Sequence, residues 1–102
     1  MSVRYVLAPQ AAIDLVEIWC YIKEQSSLEI ADRVETAIRE KFEFLAKTPG
    51  AGHLRKDLTG ADVKFFPVYS YLIVYRRETT LLQIVSILHG RRDLEQILKG
   101  RL

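Results

Sequence analysis

Two long stretches of helical periodicity follow one another directly between Pro9 and Lys47, and they constrain the fold more than any other feature. In the first stretch polar side chains recur at steps of three and four residues, at Gln10, Asp14, Glu17, Tyr21 and Glu24. The second repeats this spacing over a longer span, at Glu29, Arg33, Thr36, Glu40, Glu43 and Lys47. Such spacing places each set on one helical face, which we expect to be solvated. The pattern predicts two amphipathic helices.

The apolar positions of both stretches predict the faces that are buried. They are Ala12, Leu15, Val16, Trp19 and Ile22 in the first helix, and Ala31, Val34, Ile38, Phe42 and Leu45 in the second. Cys20 lies in the first run, where we expect a small core residue. Ser26 and Ser27 separate the helices, and Ser26 with Glu29 has the spacing of a capping box. The two helices should form a hairpin whose apolar faces pack on another layer.

Strand-like runs flank this helical hairpin. A short strand is predicted at residues 2–7, a long loop at 48–62, and three further strands at 63–68, 69–77 and 81–89. Pro67 predicts an edge strand or a bend. A short helix from Arg91 to Lys99 follows and ends at Gly100. The order β-α-α-β-β-β-α predicts a single α+β domain over residues 1–102, with the helical hairpin packed on one face of a small, mainly antiparallel sheet.

The strands are apolar on both faces, although the two long helices can cover only one. Alternation places Tyr69, Tyr71, Ile73 and Tyr75 opposite Val68, Leu72 and Val74, and it places Leu82, Ile84 and Leu88 opposite Val85 and Ile87. The last helix is too short to cover much of the second face. We therefore expect an apolar sheet surface that requires a partner. The alternative is that the last helix folds back over this face.

Composition limits the class of protein. The formal net charge is only +2, which does not indicate a nucleic-acid-binding protein, although basic residues are concentrated at 55–64 and 76–92. A single cysteine excludes an intramolecular disulfide and favours a reducing compartment. Neither a secretory signal nor an apolar run of membrane-spanning length is present, so we expect a cytoplasmic protein.

The segment "HGRRD" at residues 89–93 raises the question of why two arginines stand where a helix is expected to start. Cations are unfavourable at that end, whereas anions are attracted to it. Arg91 and Arg92 therefore indicate an anion site, with His89 as a group that titrates near neutral pH. Alternatively, Arg92 pairs with Asp57 or Asp62, and His89 donates to a backbone carbonyl.

Other candidate residues form a basic set without a recognisable catalytic motif. The chain has no phosphate-cradling glycine loop, no cysteine–histidine metal cluster and no nucleophile motif, so we expect neither a metal nor a cofactor. The set could bind phosphates or a target protein, and it consists of Arg55, Lys56, Lys64, Arg76, Arg77, His89, Arg91 and Arg92.

Four segments resemble the RelE/ParE superfamily of bacterial toxins, and within it the ParE-like subgroup. They are "YVLAPQAAIDLVEIWCYI", "LAKTPGAGHLRKDL", "YLIVYRR" and "SILHGRRD", which together span most of the chain. The resemblance implies a helical hairpin on a small antiparallel sheet. It also implies the toxin of a type II toxin–antitoxin system, bound to a ParD-like antitoxin in a hetero-oligomer. The antitoxin would contact Trp19, Tyr69, Tyr71, Ile73, Tyr75, Val85 and Ile87.

The superfamily offers two activities. ParE-like members inhibit DNA gyrase by protein–protein contact, which requires no catalytic residue, and this is the expected function. RelE-like members cut messenger RNA on the ribosome, and the corresponding candidates here are His89 as acid or base, with Arg76, Arg91 and Arg92 holding phosphate. The absence of a tyrosine after Tyr75 departs from the RNase pattern. A third possibility is an inactive homologue that acts only as a repressor partner.

Overall fold

The computed structural model describes residues 5–78 and 80–102. Residues 2–4 of the predicted first strand and Thr79, between the strands predicted at 69–77 and 81–89, lie outside this range. Within it, the strands and α-helices follow the predicted order, and a 3₁₀ turn is added after the second helix. The elements are β1 (Tyr5–Leu7), α1 (Pro9–Gln25), α2 (Leu28–Lys47), the 3₁₀ turn (Pro49–Ala51), β2 (Lys64–Val68), β3 (Tyr71–Glu78), β4 (Leu81–His89) and α3 (Leu94–Arg101).

The strands form one mixed sheet in the order β1-β4-β3-β2, so β1 and β2 are its edges. β2, β3 and β4 are antiparallel, whereas β1 runs parallel to β4 with Tyr5 opposite Leu82. On the outer side of β2, the Phe65 carbonyl accepts a hydrogen bond of 2.9 Å from the His53 N–H, and the Phe65 N–H donates one of 2.7 Å to the His53 carbonyl. The backbone nitrogen of Pro67, two residues later, faces the same outer side. Because proline has no N–H, no donor is left unpaired at this edge. The edge position predicted from Pro67 is confirmed.

The helical hairpin covers one face of the sheet. Ala11 and Leu15 of α1 are buried there with Ile38, Phe42 and Leu45 of α2. The buried face predicted for α2 is largely confirmed, whereas that predicted for α1 is offset. Ala12, Val16 and Cys20 are exposed, which makes the prediction of a core cysteine wrong. Apolar residues occupy more than one side of α1, so periodicity alone did not identify the inner side.

The second face of the sheet is covered by the chain itself. Val74, Val85 and Leu88 pack there against Leu94 and Leu98 of α3. The loop before β2 completes the cover with Leu58, Ala61 and Val63. The expectation of a free apolar sheet face is therefore wrong, because the short helix is supplemented by the loop. The alternative, in which the last helix folds back, is confirmed.

A β-bulge exchanges the predicted faces of two residues in β4. Val74 lies opposite Ser86 and Tyr75 opposite Ile84, so Val85 is the extra residue. Beyond the bulge the alternation is reversed. Ile87 consequently joins the cluster under the helical hairpin and Leu88 joins the cluster under α3.

Two helix starts differ from those expected. The side chain of Ser27, and not that of Ser26, caps α2 by accepting a hydrogen bond of 3.1 Å from the Ile30 N–H. The third helix begins at Leu94, with Asp93 as its N-cap, and continues through Gly100 to Arg101.

Arg91 and Arg92 therefore lie in the turn before α3 and not in its first helical turn. Within the described residues no helix is both long and apolar enough to cross a membrane.

Candidate functional site

A cleft of about 300 Å³ lies between α1 and the end of the β3–β4 hairpin, and we call it the α1 cleft. It brings together four residues that the sequence singled out, namely Tyr71, Ile87, His89 and Arg92, with residues of α1 that it did not. The lining residues are Asp14, Glu17, Ile18, Tyr21, Tyr71, Ile87, His89 and Arg92.

His89 is held in a defined orientation at the end of β4. It lies opposite Tyr71 in the strand register, and the two rings meet edge to face with centroids 5.3 Å apart. Its Nδ1 accepts a hydrogen bond of 3.1 Å from the Arg91 N–H. In the neutral ring the proton therefore lies on Nε2, which can donate to a ligand. The alternative, in which His89 donates to a backbone carbonyl, does not hold for Nδ1, because this atom accepts a hydrogen bond.

The phenol of Tyr71 forms part of the same wall. Burial raises the pKa of Tyr71, and the nearby Tyr21 phenol raises it further. The hydroxyl consequently stays protonated at neutral pH and serves as a hydrogen-bond donor as well as an acceptor.

Asp14 forms the floor of the α1 cleft and is only 4% exposed. Its carboxylate accepts hydrogen bonds from Gln10 Nε2 (3.1 Å), from the Ile87 N–H (3.0 Å) and from Arg101 Nη1 (2.7 Å). Arg101 also donates to Ser86 Oγ at 3.2 Å. The expectation that Asp14 belongs to a solvated face is wrong, because the carboxylate joins α1, β4 and α3.

The basic set does not form one site. Lys64, Arg76 and Arg77 line a separate hollow of about 310 Å³ next to the 3₁₀ turn. Arg76 Nε donates to Gln83 Oε1 at 2.9 Å and lies 3.8 Å from the Glu78 carboxylate. Arg76 lies five positions after Tyr71 along β3, a distance of about 17 Å. Arg76 therefore cannot hold the same phosphate as His89 and Arg92.

Two further members of the basic set lie in the loop before β2. Arg55 pairs with Asp57 through two hydrogen bonds of 3.0 and 2.9 Å. The Arg55 guanidinium lowers the pKa of the Asp57 carboxyl. Asp57 is thus bound by Arg55 and not by Arg92, contrary to the alternative considered above. Lys56 lines another hollow, which it shares with Lys99.

The predicted antitoxin-binding residues fall into two groups. Ile73, Tyr75, Val85 and Ile87 are buried, so the expectation that they form a free surface is wrong. The other three retain exposed area, namely Trp19 on α1, Tyr69 in the β2–β3 turn and Tyr71 in the α1 cleft.

Tyr69 and Trp19 differ in how they are held. Tyr69 is 65% exposed and adopts a positive φ of 54°, so it belongs to the turn and not to the predicted strand face. The indole N–H of Trp19 donates to Asp32 Oδ1 at 2.8 Å, and Lys23 Nζ lies 5.1 Å from the ring centroid. Trp19 therefore links α1 to α2 and presents the remainder of its ring to solvent.

Tyr75 has a structural role in the middle of β3. Its hydroxyl donates to the Pro49 carbonyl at 2.7 Å and accepts from the Gly52 N–H at 2.8 Å. Gly52 is required at this point, because a Cβ there would collide with the Tyr75 ring and hydroxyl. Together they attach the loop to the sheet.

Sequence reasoning missed four lining residues of the α1 cleft, namely Asp14, Glu17, Ile18 and Tyr21. Asp14, Glu17 and Tyr21 follow one another at helical spacing, and this pattern was interpreted only as a solvated stripe. The described residues contain no group of three or more histidine, cysteine, aspartate or glutamate side chains able to hold a metal ion. A ligand in the α1 cleft would therefore contact hydrogen-bond donors, aromatic rings and charged side chains.

Comparison with known proteins relates the chain to one family. A family model described as "ParE toxin of type II toxin-antitoxin system, parDE" matches residues 5–94. A solved structure titled "Chromosomal ParDE TA system from P. aeruginosa" is similar at 21% identity, with a TM-score of 0.69. That similarity covers 86% of this chain and 98% of the other, and it shows a shared fold. A search of curated proteins found no match.

Proposed function

This chain belongs to the ParE toxin family of type II toxin–antitoxin systems, and from that premise we propose that it inhibits DNA gyrase by protein–protein contact and is neutralised by a cognate antitoxin. The observation that carries the proposal is the family match over residues 5–94, which includes the helical hairpin, the whole sheet and the 89–93 segment. A cytoplasmic location is part of the proposal, because gyrase acts there.

The exposed members of the predicted antitoxin-binding set support a docking surface on the side of the helical hairpin. Trp19, Tyr69 and Tyr71 combine apolar rings with polar tips, a combination that is enriched at protein interfaces. The buried members Ile73 and Ile87 would act from beneath by holding the sheet on which this surface rests. We propose direct antitoxin contact for the exposed members only.

The distribution of basic residues favours target binding over RNA cleavage. A nuclease of the expected type would require Arg76 with His89 and Arg92, and these lie at opposite ends of β3 and β4. Separate basic regions are better suited to contacting a large protein surface, where each charge forms its own interaction. On this proposal Arg77, Arg91 and the other exposed members of the basic set bind the target and catalyse no reaction.

The test is to incubate the purified toxin with gyrase and supercoiled plasmid, and in parallel with ribosomes programmed with messenger RNA. We expect linearised plasmid and intact message. Addition of a cognate antitoxin should restore gyrase activity. Message cut in the ribosomal A site, with gyrase unaffected, would overturn the proposal. Inactivity in both reactions would favour the third possibility, a homologue that acts only as a repressor partner.

Ribosome-dependent RNA cleavage remains the second candidate because of one observation, the assembly of His89, Tyr71 and Arg92 in the α1 cleft. An imidazole that carries its proton on Nε2, together with an arginine, is suited to proton transfer and phosphate binding. If this activity exists, His89→Ala should abolish message cleavage while the protein remains folded. An unchanged cleavage rate in this variant would exclude His89 as the acid or base.

A further inference from the structure

The α1 cleft has an apolar wall and a polar end. Ile87 is buried, Ile18 is half-buried, and the ring of Tyr71 stands beside them. His89, the last residue of β4, and Arg92, in the turn that follows, form the polar end. A volume of about 300 Å³ suits a large apolar side chain and one small polar group, and is too small for a folded domain or a duplex.

The cleft contains hydrogen-bond donors for which the described residues provide no acceptor. The Asp14 carboxylate is already satisfied by Arg101, Gln10 and the Ile87 N–H. Among the described residues Arg92 forms no salt bridge, and the Nε2 of His89 is the donor in the neutral ring because Nδ1 accepts from the Arg91 N–H. A complementary ligand must therefore supply an acceptor, and a carboxylate is the strongest acceptor that a protein partner offers.

Glu17 limits the charge of that ligand. It is exposed at the rim of the cleft and repels a second negative charge. A single carboxylate next to an apolar group therefore fits better than a dianionic phosphate or a nucleic-acid backbone.

From this geometry we propose that the α1 cleft binds one acidic side chain and a neighbouring apolar side chain of a partner protein segment. Arg92 and His89 receive the carboxylate, while Ile18, Ile87 and Tyr71 receive the apolar group. The inference rests on the proposed function in one respect, since the antitoxin is the partner expected to carry this segment.

The test uses the full-length toxin labelled with ¹⁵N and titrated with blocked dipeptides. The probe is N-acetyl-phenylalanyl-glutamate amide, and its neutral control is the phenylalanyl-glutamine analogue. We expect saturable shifts at the amides of Tyr71, His89 and Arg92, and affinity for the control about tenfold lower, as a charge-assisted hydrogen bond implies. Equal affinity for both peptides, or no saturable shift, would overturn the proposal.

Two variants distinguish a direct contact between the peptide carboxylate and Arg92 from a general attraction to positive charge. Arg92→Gln removes the charge within the cleft and should weaken binding of the glutamate peptide about tenfold. Arg33→Gln removes the same charge from α2, outside the cleft lining, and should change affinity less than about twofold. Equal losses in both variants would contradict a site at Arg92. Inorganic phosphate that saturates the same amides more tightly than the peptide would show an anion site of another kind and would also contradict it.

The result is independent of gyrase and the ribosome. Peptide binding by a toxin that leaves gyrase unaffected would refute the proposed target and preserve the inference about the cleft. Gyrase inhibition by a toxin that ignores the glutamate peptide would preserve the function and refute the inference.

Discussion

At the scale of single residues, Asp14 is the side chain on which three elements meet. Its carboxylate bonds to Arg101 of α3 and to the backbone of β4 while its own backbone belongs to α1. Breaking a buried ion pair by removing one partner is costly, because the other group is left without its counter-charge. Asp14 therefore contributes to the positions of both the α1 cleft and the terminal helix.

We expect Asp14→Ala to lower the free energy of unfolding by about 3 kcal/mol. Arg101→Met should also destabilise the protein, and the double variant should show a coupling energy of about 1–3 kcal/mol, since both changes remove one contact. The measurement is urea unfolding of the two single variants and the double variant. Glu17→Ala, an exposed carboxylate on the same helix, is the matched control and should change stability by less than about 0.5 kcal/mol. Equal effects of Asp14→Ala and Glu17→Ala would show that the ion pair does not stabilise the fold.

Tyr75 also acts as a single residue, and its effect depends on pH. Burial raises the pKa of the Tyr75 phenol above its ordinary value, although the hydrogen bond from Gly52 partly opposes the change. Above about pH 10 the unfolded state loses the phenolic proton while the folded state keeps it. Ionisation therefore favours the unfolded state, and stability falls as pH rises through this range.

We expect Tyr75→Phe to reduce this alkaline loss of stability and to lower stability at neutral pH by about 1–3 kcal/mol, because the hydroxyl no longer holds the loop. Urea unfolding at neutral pH and at several values above pH 10 measures both effects. Tyr69→Phe is the control at an exposed position and should alter neither. Part of the alkaline loss should persist in Tyr75→Phe, because the pKa of Tyr71 is raised as well. An identical alkaline profile in wild type and Tyr75→Phe would rule out a contribution from Tyr75.

At the scale of elements, short-range features set where helices begin and which way strand residues face. Ser27 caps α2, Asp93 caps α3, and the bulge at Val85 reverses the alternation of β4. The bulge places Ile87 beneath the α1 cleft, so the shape of the cleft depends on a single inserted strand residue.

The two adjacent serines allow the cap of α2 to be tested directly. We expect Ser27→Ala to cost about 1 kcal/mol, because the Ile30 N–H loses its acceptor. Ser26→Ala should have little effect, since its side chain does not cap the helix. Thermal or urea unfolding of both variants measures the difference. A larger loss in Ser26→Ala would restore the capping box first expected from its spacing to Glu29.

At the scale of the whole molecule, the sheet lies between two layers that differ in the extent of their contact with it. The helical hairpin forms a long contact on one face, whereas α3 and the loop cover the other with a few apolar side chains. The family match ends at Leu94, the first residue of α3. The case for a toxin therefore rests on the family match and not on an exposed sheet face.

We expect Leu98→Ala to lower the free energy of unfolding by about 3 kcal/mol and to release α3 before the rest of the molecule unfolds. Amide exchange in α3 should then accelerate while β4 and α1 remain protected. The control is Leu102→Ala, which alters an exposed leucine at the end of the same helix. Uniform acceleration across α3, β4 and α1 would show instead that the cover opens only on global unfolding.

Much of this fold was predictable because its signals are local. The periods of 3.6 and 2 predicted the helical hairpin, the three later strands and the order of these elements along the chain, and Pro67 predicted an edge strand or a bend. The resemblance carried by four segments agrees with the family match over residues 5–94. Of the α1 cleft, His89 and Arg92 were singled out because polar groups follow the last strand, and Tyr71 and Ile87 were singled out as residues that an antitoxin would contact.

Only the tertiary structure decided how these parts meet. It buried Asp14 by bringing Arg101 to it across 87 positions of sequence, and it separated Arg76 from His89 although both were assigned to one basic set. It also closed the second sheet face by combining α3 with a loop that lacks any regular pattern. Periodicity reports which side of one element is apolar. Contacts between distant residues depend on how whole elements pack, and that information is not present in any short segment.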